Sequence, residues 1–178
     1  MNSLSFRNFS STIRTQRLTL RPLAPSDLEQ ALSIFYSDKV KATYMLPDFP
    51  ARENAEKLFD RLLTLSHSAE HLVRGITLDD TLIGFLNDTE INDGTIEVGY
   101  ALHPDYWNCG YATEALTAVI GELFRVGFPT VRAGFFEQNP ASGRVMEKSG
   151  MHRIDFTDSI DYRGTSHRCI YYEISRPV

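Results

Sequence analysis

Regular patterning starts at residues 17–23, RLTLRPL, where Leu18 and Leu20 alternate with polar residues ahead of Leu23; this period of two predicts a half-buried strand. SDLE at 26–29 is a capping-box sequence, with Ser26 reaching forward and Glu29 reaching back. Leu28, Leu32 and Phe35 then predict a helix to about Tyr36. Asp48 to Pro50 open a second helical region, in which Leu58, Leu62 and Leu65 recur every three or four positions until about Ser66. Three strand-like runs follow at 71–78, 82–91 and 95–102, separated by turns at Asp79–Asp80 and at NDG 92–94. Ala112, Ala115, Leu116, Val119, Ile120, Leu123 and Phe124 form one apolar helical stripe, which Gly127 and Pro129 end. TVRAGFF (130–136) reads as a strand. NPASGRVMEKSG (139–150) reads as a helix with Asn139 as cap, Pro140 in the first position and Gly150 past the end; the tail offers two more strands around Gly164.

This order predicts a single α/β (α+β) domain over residues 17–176, with a mixed, mostly antiparallel sheet of six or seven strands and about four helices. The helix between the fourth and fifth strands makes those two parallel neighbours, because the crossover is right-handed. Ligands bind beyond the carboxyl ends of such strands, and that is where the loop HPDYWNCGYATEAL (103–116) falls.

Composition narrows the function without choosing it. The chain has 178 residues and a formal charge of -5, so it has no basic face for nucleic acid. Two distant cysteines, Cys109 and Cys169, suggest neither a disulfide framework nor a metal site and fit a reducing compartment. With no apolar run of membrane-spanning length, the expectation is a soluble cytoplasmic protein without a membrane partner, and a homodimer stays open. Residues 1–16, rich in Ser and Thr and lacking acids, read as an N-terminal arm with a faint likeness to a transit peptide.

The loop at 103–116 has three readings. Its backbone amides at a helix start suit an anion; Gly110 lets a ligand approach the backbone, and Ala112 keeps the first turn small. Cys109 before a helix, with His103 six residues away, would suit a Cys-His thiol hydrolase. It is also an ordinary corner. It contains neither GK[ST] nor a three-glycine dinucleotide fingerprint.

GYALHPDYWNCGYATEAL, followed about thirty residues later by NPASGRVMEKSGM, resembles the Gcn5-related N-acetyltransferases, and among them the ribosomal-protein N-terminal acetyltransferase branch. The resemblance covers about residues 15–176 and implies their fold, with strands 4 and 5 splayed apart. It implies acetyl-CoA as co-substrate, no metal, and an amine acceptor, either a small molecule or a protein N-terminus. Pyrophosphate contacts would come from the amides of Asn108, Cys109, Gly110, Tyr111, Ala112 and Thr113. The strand edge at Ala101 and Leu102 would pair with the pantetheine arm, and Asn139 would bond a pantetheine amide. Trp107 stands where the family carries Gln or Arg, and Asn108 and Cys109 stand where Gly and a basic residue are common. The positive charge lost there would have to come from Arg144 or Lys148.

Acetyl transfer needs a route for the amine proton and a donor for the departing thiolate. Glu97 shares a strand face with Gly99 and Ala101, where apolar neighbours would raise its pKa; it is the candidate base, against a solvated or cross-strand paired carboxylate. The resemblance points to Ser142 as the acid, against a plain helix-start role. The acceptor would meet the first two helices, the segment ATYMLPDF (42–49) and the turn near Gly164. A non-catalytic CoA- or peptide-binding module of the same fold is the other reading.

Overall fold

The structure, a computed structural model, describes residues 6–177. In chain order the strands are β1 (Ile13–Arg14), β2 (Thr19–Arg21), β3 (Val73–Leu78), β4 (Thr81–Asn92), β5 (Thr95–Leu102), β6 (Thr130–Phe136), β7 (His152–Tyr162) and β8 (Thr165–Ser175). The helices are α1 (Leu28–Tyr36), α2 (Asp38–Lys41), α3 (Arg52–Ser66), α4 (Tyr111–Arg125) and α5 (Pro140–Lys148). All eight strands form one sheet in the order β1-β2-β3-β4-β5-β6-β8-β7, antiparallel except for the parallel β5–β6 pair. The expected mixed sheet with parallel fourth and fifth strands is borne out. The additional strand, β1, and the one-turn helix α2 are too short to leave a periodic signal.

α4 and α5 cover one face, where Ile96, Val98, Leu116, Val119, Val131 and Ile170 build the larger core. α1 and α3 cover the other face over β3–β5, burying Phe35, Phe59, Phe85 and Ala101. Alternation along β5 therefore sends Ile96, Val98 and Leu102 to the α4 side and Glu97, Gly99 and Ala101 to the opposite side.

Two local expectations are corrected. The capping box of Ser26 and Glu29 does not form. Asp27 instead accepts from the Ala24 N–H at 2.8 Å and takes a bidentate fork from Arg21 at 2.8 and 2.9 Å, while Glu29 pairs with Arg52. A nearly buried carboxylate with an arginine partner outcompetes an exposed serine cap. The N-terminal arm is built into the fold over its described residues, for Phe6 and Phe9 are 4% and 6% exposed and Phe6 stacks on Phe128. The transit-peptide likeness falls partly on residues 1–5, which lie outside the described residues.

This segment is tied to α4 through Glu122, which accepts from the Ser10 N–H at 2.6 Å and from Arg125, whose Nη2 also reaches the Asn8 carbonyl. The Arg125 hydrogen bond, reinforced by Ser10, holds the Glu122 carboxyl at about 2. Its folded pKa is depressed, so its contribution is present above the unfolded value of about 4.3 and is lost as the pH falls toward about 2. Glu122→Gln should therefore cost about 1–2 kcal/mol at neutral pH and flatten the stability profile across that acid window, as read by urea melts at stepped pH.

Candidate active site

β5 and β6 pair only at Thr95–Thr130, Ile96–Val131 and Glu97–Arg132. Beyond Glu97 the two strands separate, leaving one edge of β5 unpaired. The His103 N–H bonds the Ile83 carbonyl on β4, so by alternation Ala101 also directs its backbone to β4, while Tyr100 and Leu102 face the gap. Of the two edge residues expected from the sequence, Ala101 therefore turns its backbone groups to β4 and Leu102 turns them to the gap, as does Tyr100. The Leu102 carbonyl is already engaged, accepting from the Trp107 indole Nε1 at 2.8 Å. Trp107, unusual by the resemblance, therefore has a role of its own: it fixes the loop to the strand end.

A cleft of about 280 Å³ opens in this gap. Its lining brings together Ala101, Leu102, Asn108, Gly110, Tyr111, Ala112, Thr113, Asn139, Ser142 and Arg144, sequence-expected residues from three separate stretches. Cys109 and Glu97 are not on that lining. Lys148 is, and like Arg144 it forms no ion pair among the described residues, so two cations border the cleft uncompensated.

The loop is arranged for an anion. Gly110 has φ +82° and Asn108 φ +61°, which turn the chain sharply into α4. The N–H groups of Asn108, Cys109, Gly110, Tyr111, Ala112 and Thr113 have no hydrogen-bond partner among the described residues; the first engaged amide is Glu114, bonded to the Gly110 carbonyl at 3.0 Å. Six successive free donors and the positive end of the helix dipole form a concentrated acceptor site for negative charge.

A residue that sequence reasoning missed also stands here. Arg17, two residues before β2, donates Nη1 to the Cys109 carbonyl at 2.9 Å and Nε to Glu114 at 2.7 Å, and its guanidinium lies 4.5 Å from the Tyr111 ring centre. Burial alone would push the Glu114 carboxyl up, but hydrogen bonds from Thr15 and Arg17 overrule it and hold the group below the usual carboxylate range. No local signal links positions 17 and 109; only the sheet brings them together.

Glu97 sits at the last rung of the parallel pair, half-buried on the face away from α4. β4 carries a bulge at Asp88–Glu90, which turns Thr89 to donate to Glu97 Oε1 at 3.1 Å. Burial raises the Glu97 pKa. Thr89 and the charge of Arg132 pull it back only in part, and Glu90 and Asp158 add to the rise. Arg132 also donates Nε to Glu173 at 2.7 Å. Near Glu97, Tyr44 lies over Gly99 and Tyr171 over Gly134; a β-carbon on either glycine would crowd those rings. The expected acceptor segments do meet: the Tyr162 hydroxyl donates to the Leu46 carbonyl at 2.9 Å, and Arg163 and Lys41 both pair with Asp48 at 3.1 Å.

At the start of α5, the Asn139 side chain does not cap the helix as expected; its amide donates to Ser142 Oγ at 2.9 Å. The Ser142 hydroxyl is thereby left as a donor. Tyr100 completes the link by donating its hydroxyl to the Ser142 carbonyl at 3.2 Å, joining β5 to α5 across the gap. The thiol reading gains no support: Cys109 Sγ turns to the Trp107 carbonyl at 3.4 Å, and His103 Nδ1 accepts from the Asp105 N–H at 3.3 Å.

A family model described as an acetyltransferase (GNAT) domain matches residues 17–152. The chain belongs to the GNAT acetyltransferase family. This acetyltransferase is 28% identical over 171 residues to the uncharacterized N-acetyltransferase YoaA of Bacillus subtilis, covering 93% of the chain and 97% of that relative. Among solved structures it is similar to a ribosomal-protein-serine acetyltransferase of Vibrio cholerae, so described provisionally (TM-score 0.77, 23% identity, covering 93% of this chain and 97% of that one). It is also similar to RimL, a ribosomal L7/L12 alpha-N-protein acetyltransferase in complex with coenzyme A (TM-score 0.82, 17% identity, covering 92% and 97%). At those identities the likeness establishes the fold.

Proposed function

We propose that this acetyltransferase moves an acetyl group from acetyl-CoA to a primary amine by direct transfer in a ternary complex. The observation that carries this reading is the run of six unpartnered amides from Asn108 to Thr113 beside the separated β5 edge. Those amides take the pyrophosphate, with Arg144 and Lys148 supplying charge at the rim. The pantetheine arm runs along the Tyr100–Leu102 edge toward the vertex of the two strands. Asn139 holds Ser142 and remains close enough to the cleft to meet a pantetheine amide. The residues supplied by this chain need no metal.

The acceptor approaches from the Glu97 face, between Tyr44 and Tyr171. Its neutral nitrogen attacks the thioester carbonyl carbon, and the proton lost from nitrogen passes to Glu97, directly or through one water. As the C–S bond breaks, the Ser142 hydroxyl hydrogen-bonds the leaving sulfur, which takes its proton from solvent by way of that hydroxyl. Holding both substrates in line supplies much of the rate. A protein N-terminus and a small amine both fit this chemistry.

A thiol-release assay with acetyl-CoA against N-terminal peptides, polyamines, amino acids and antibiotic amines tests the reading. Release with at least one amine is expected; binding of acetyl-CoA with no amine consumed would instead favour a non-catalytic module. A second result is expected at Arg132. Its charge holds Glu97 down, so Arg132→Leu raises the Glu97 pKa further, and the acid limb of the pH–rate profile moves to higher pH. An unmoved limb would detach Glu97 from the profile.

A further inference from the structure

Arg17 has more contacts to the phosphate loop than a surface arginine needs, and their direction is informative. The chain has no cis peptide among its described residues, so the planar 109–110 peptide points its carbonyl and its N–H in opposite directions. Arg17 Nη1 holds the Cys109 carbonyl at 2.9 Å, which turns the Gly110 N–H the other way. The guanidinium that does this is itself fixed on three sides. Glu114 accepts from Nε at 2.7 Å and from the Arg17 backbone N–H at 2.8 Å, Thr15 donates to the same carboxylate at 2.6 Å, and the Tyr111 ring lies beneath the plane. Nη2 has no partner among the described residues and stands beside Gly110, 3.3 Å from where a β-carbon would be.

We infer that Arg17 is a positioning residue for the donor substrate: by holding the Cys109 carbonyl it sets the direction of the Gly110 amide, and it brings an unspent N–H pair to the diphosphate-binding loop. This inference rests on the reading of that loop as the acetyl-CoA pyrophosphate site. A lysine does not substitute, because a single ammonium cannot span the carbonyl, Glu114 and the ring at once.

The test measures binding of CoA and of pantetheine, which lacks the diphosphate, to the wild-type protein, Arg17→Ala and Arg17→Lys. Trp107, the single tryptophan, lies in the loop and provides an emission signal. For Arg17→Ala, CoA affinity should fall about tenfold or more, while pantetheine affinity changes less than about twofold. Arg17→Lys should recover less than half of that loss on a logarithmic scale, and it serves as the reading if the alanine variant does not fold. Three results would overturn the inference: CoA binding that survives in Arg17→Ala, equal losses for CoA and pantetheine, or full rescue by lysine. A wild-type protein that binds no CoA would overturn the proposed function itself, and this inference with it.

Discussion

Glu97→Gln should lower kcat by about 10²–10⁴-fold while leaving the KM for acetyl-CoA within about threefold of wild type. The separation follows from position: Glu97 is absent from the lining of the cofactor cleft, so its loss removes a proton acceptor and leaves the cofactor contacts in place. Glutamine keeps the size of the side chain and its ability to accept from Thr89, and loses only the basic carboxylate. The acid limb of kcat should disappear in the variant, because that limb reports deprotonation of a carboxylate whose pKa is raised by burial. Steady-state rates with saturating acetyl-CoA across the pH range check both points. An unchanged kcat with an unchanged limb would assign the proton to solvent and reduce Glu97 to a strand residue.

Gly110→Val should raise the KM for acetyl-CoA roughly tenfold with kcat nearly unchanged. A side chain at φ +82° is strained by about 1–2 kcal/mol, so the free loop relaxes, and binding must either restore the strained turn or give up one charged hydrogen bond worth about 1.5 kcal/mol. Arg17 Nη2, 3.3 Å from the new β-carbon, blocks one direction of relaxation. Titration of Trp107 emission with CoA measures the loss directly, and a melting curve separates it from unfolding. Equal CoA affinity in the variant would mean that the amides at this turn do not hold the diphosphate.

The site was partly legible because two of its components are local. Gly110 before an apolar helical stripe marks an anion-suited helix start, and Asn139–Pro140 marks another helix start whose first turn carries Ser142. Period-two patterning in TIEVGYAL separated Glu97 from the core-facing residues, and the structure keeps that separation. Edge direction was harder. Which of Ala101 and Tyr100 presents its backbone to the gap depends on the register with β4, a non-local pairing that leaves no trace in the strand's own alternation. The cap at Ser26 failed for a related reason: Asp27, one residue away, had an arginine waiting across the turn.

By itself the sequence determined the order of elements, the parallel pair within a mostly antiparallel sheet, the faces of β5 and the two loops that border the cleft. Periodicity, turn residues and crossover handedness act over a few residues, and the side chains that carry them declare themselves locally. Only the tertiary structure decided that Phe6 and Phe9 are core and not a free arm, that a bulge aims Thr89 at Glu97, that Arg132 pairs with Glu173, and that Arg17 reaches the loop. Each of these depends on pairing between segments distant in the chain, where burial and competition for a hydrogen-bond partner, not local preference, select the contact.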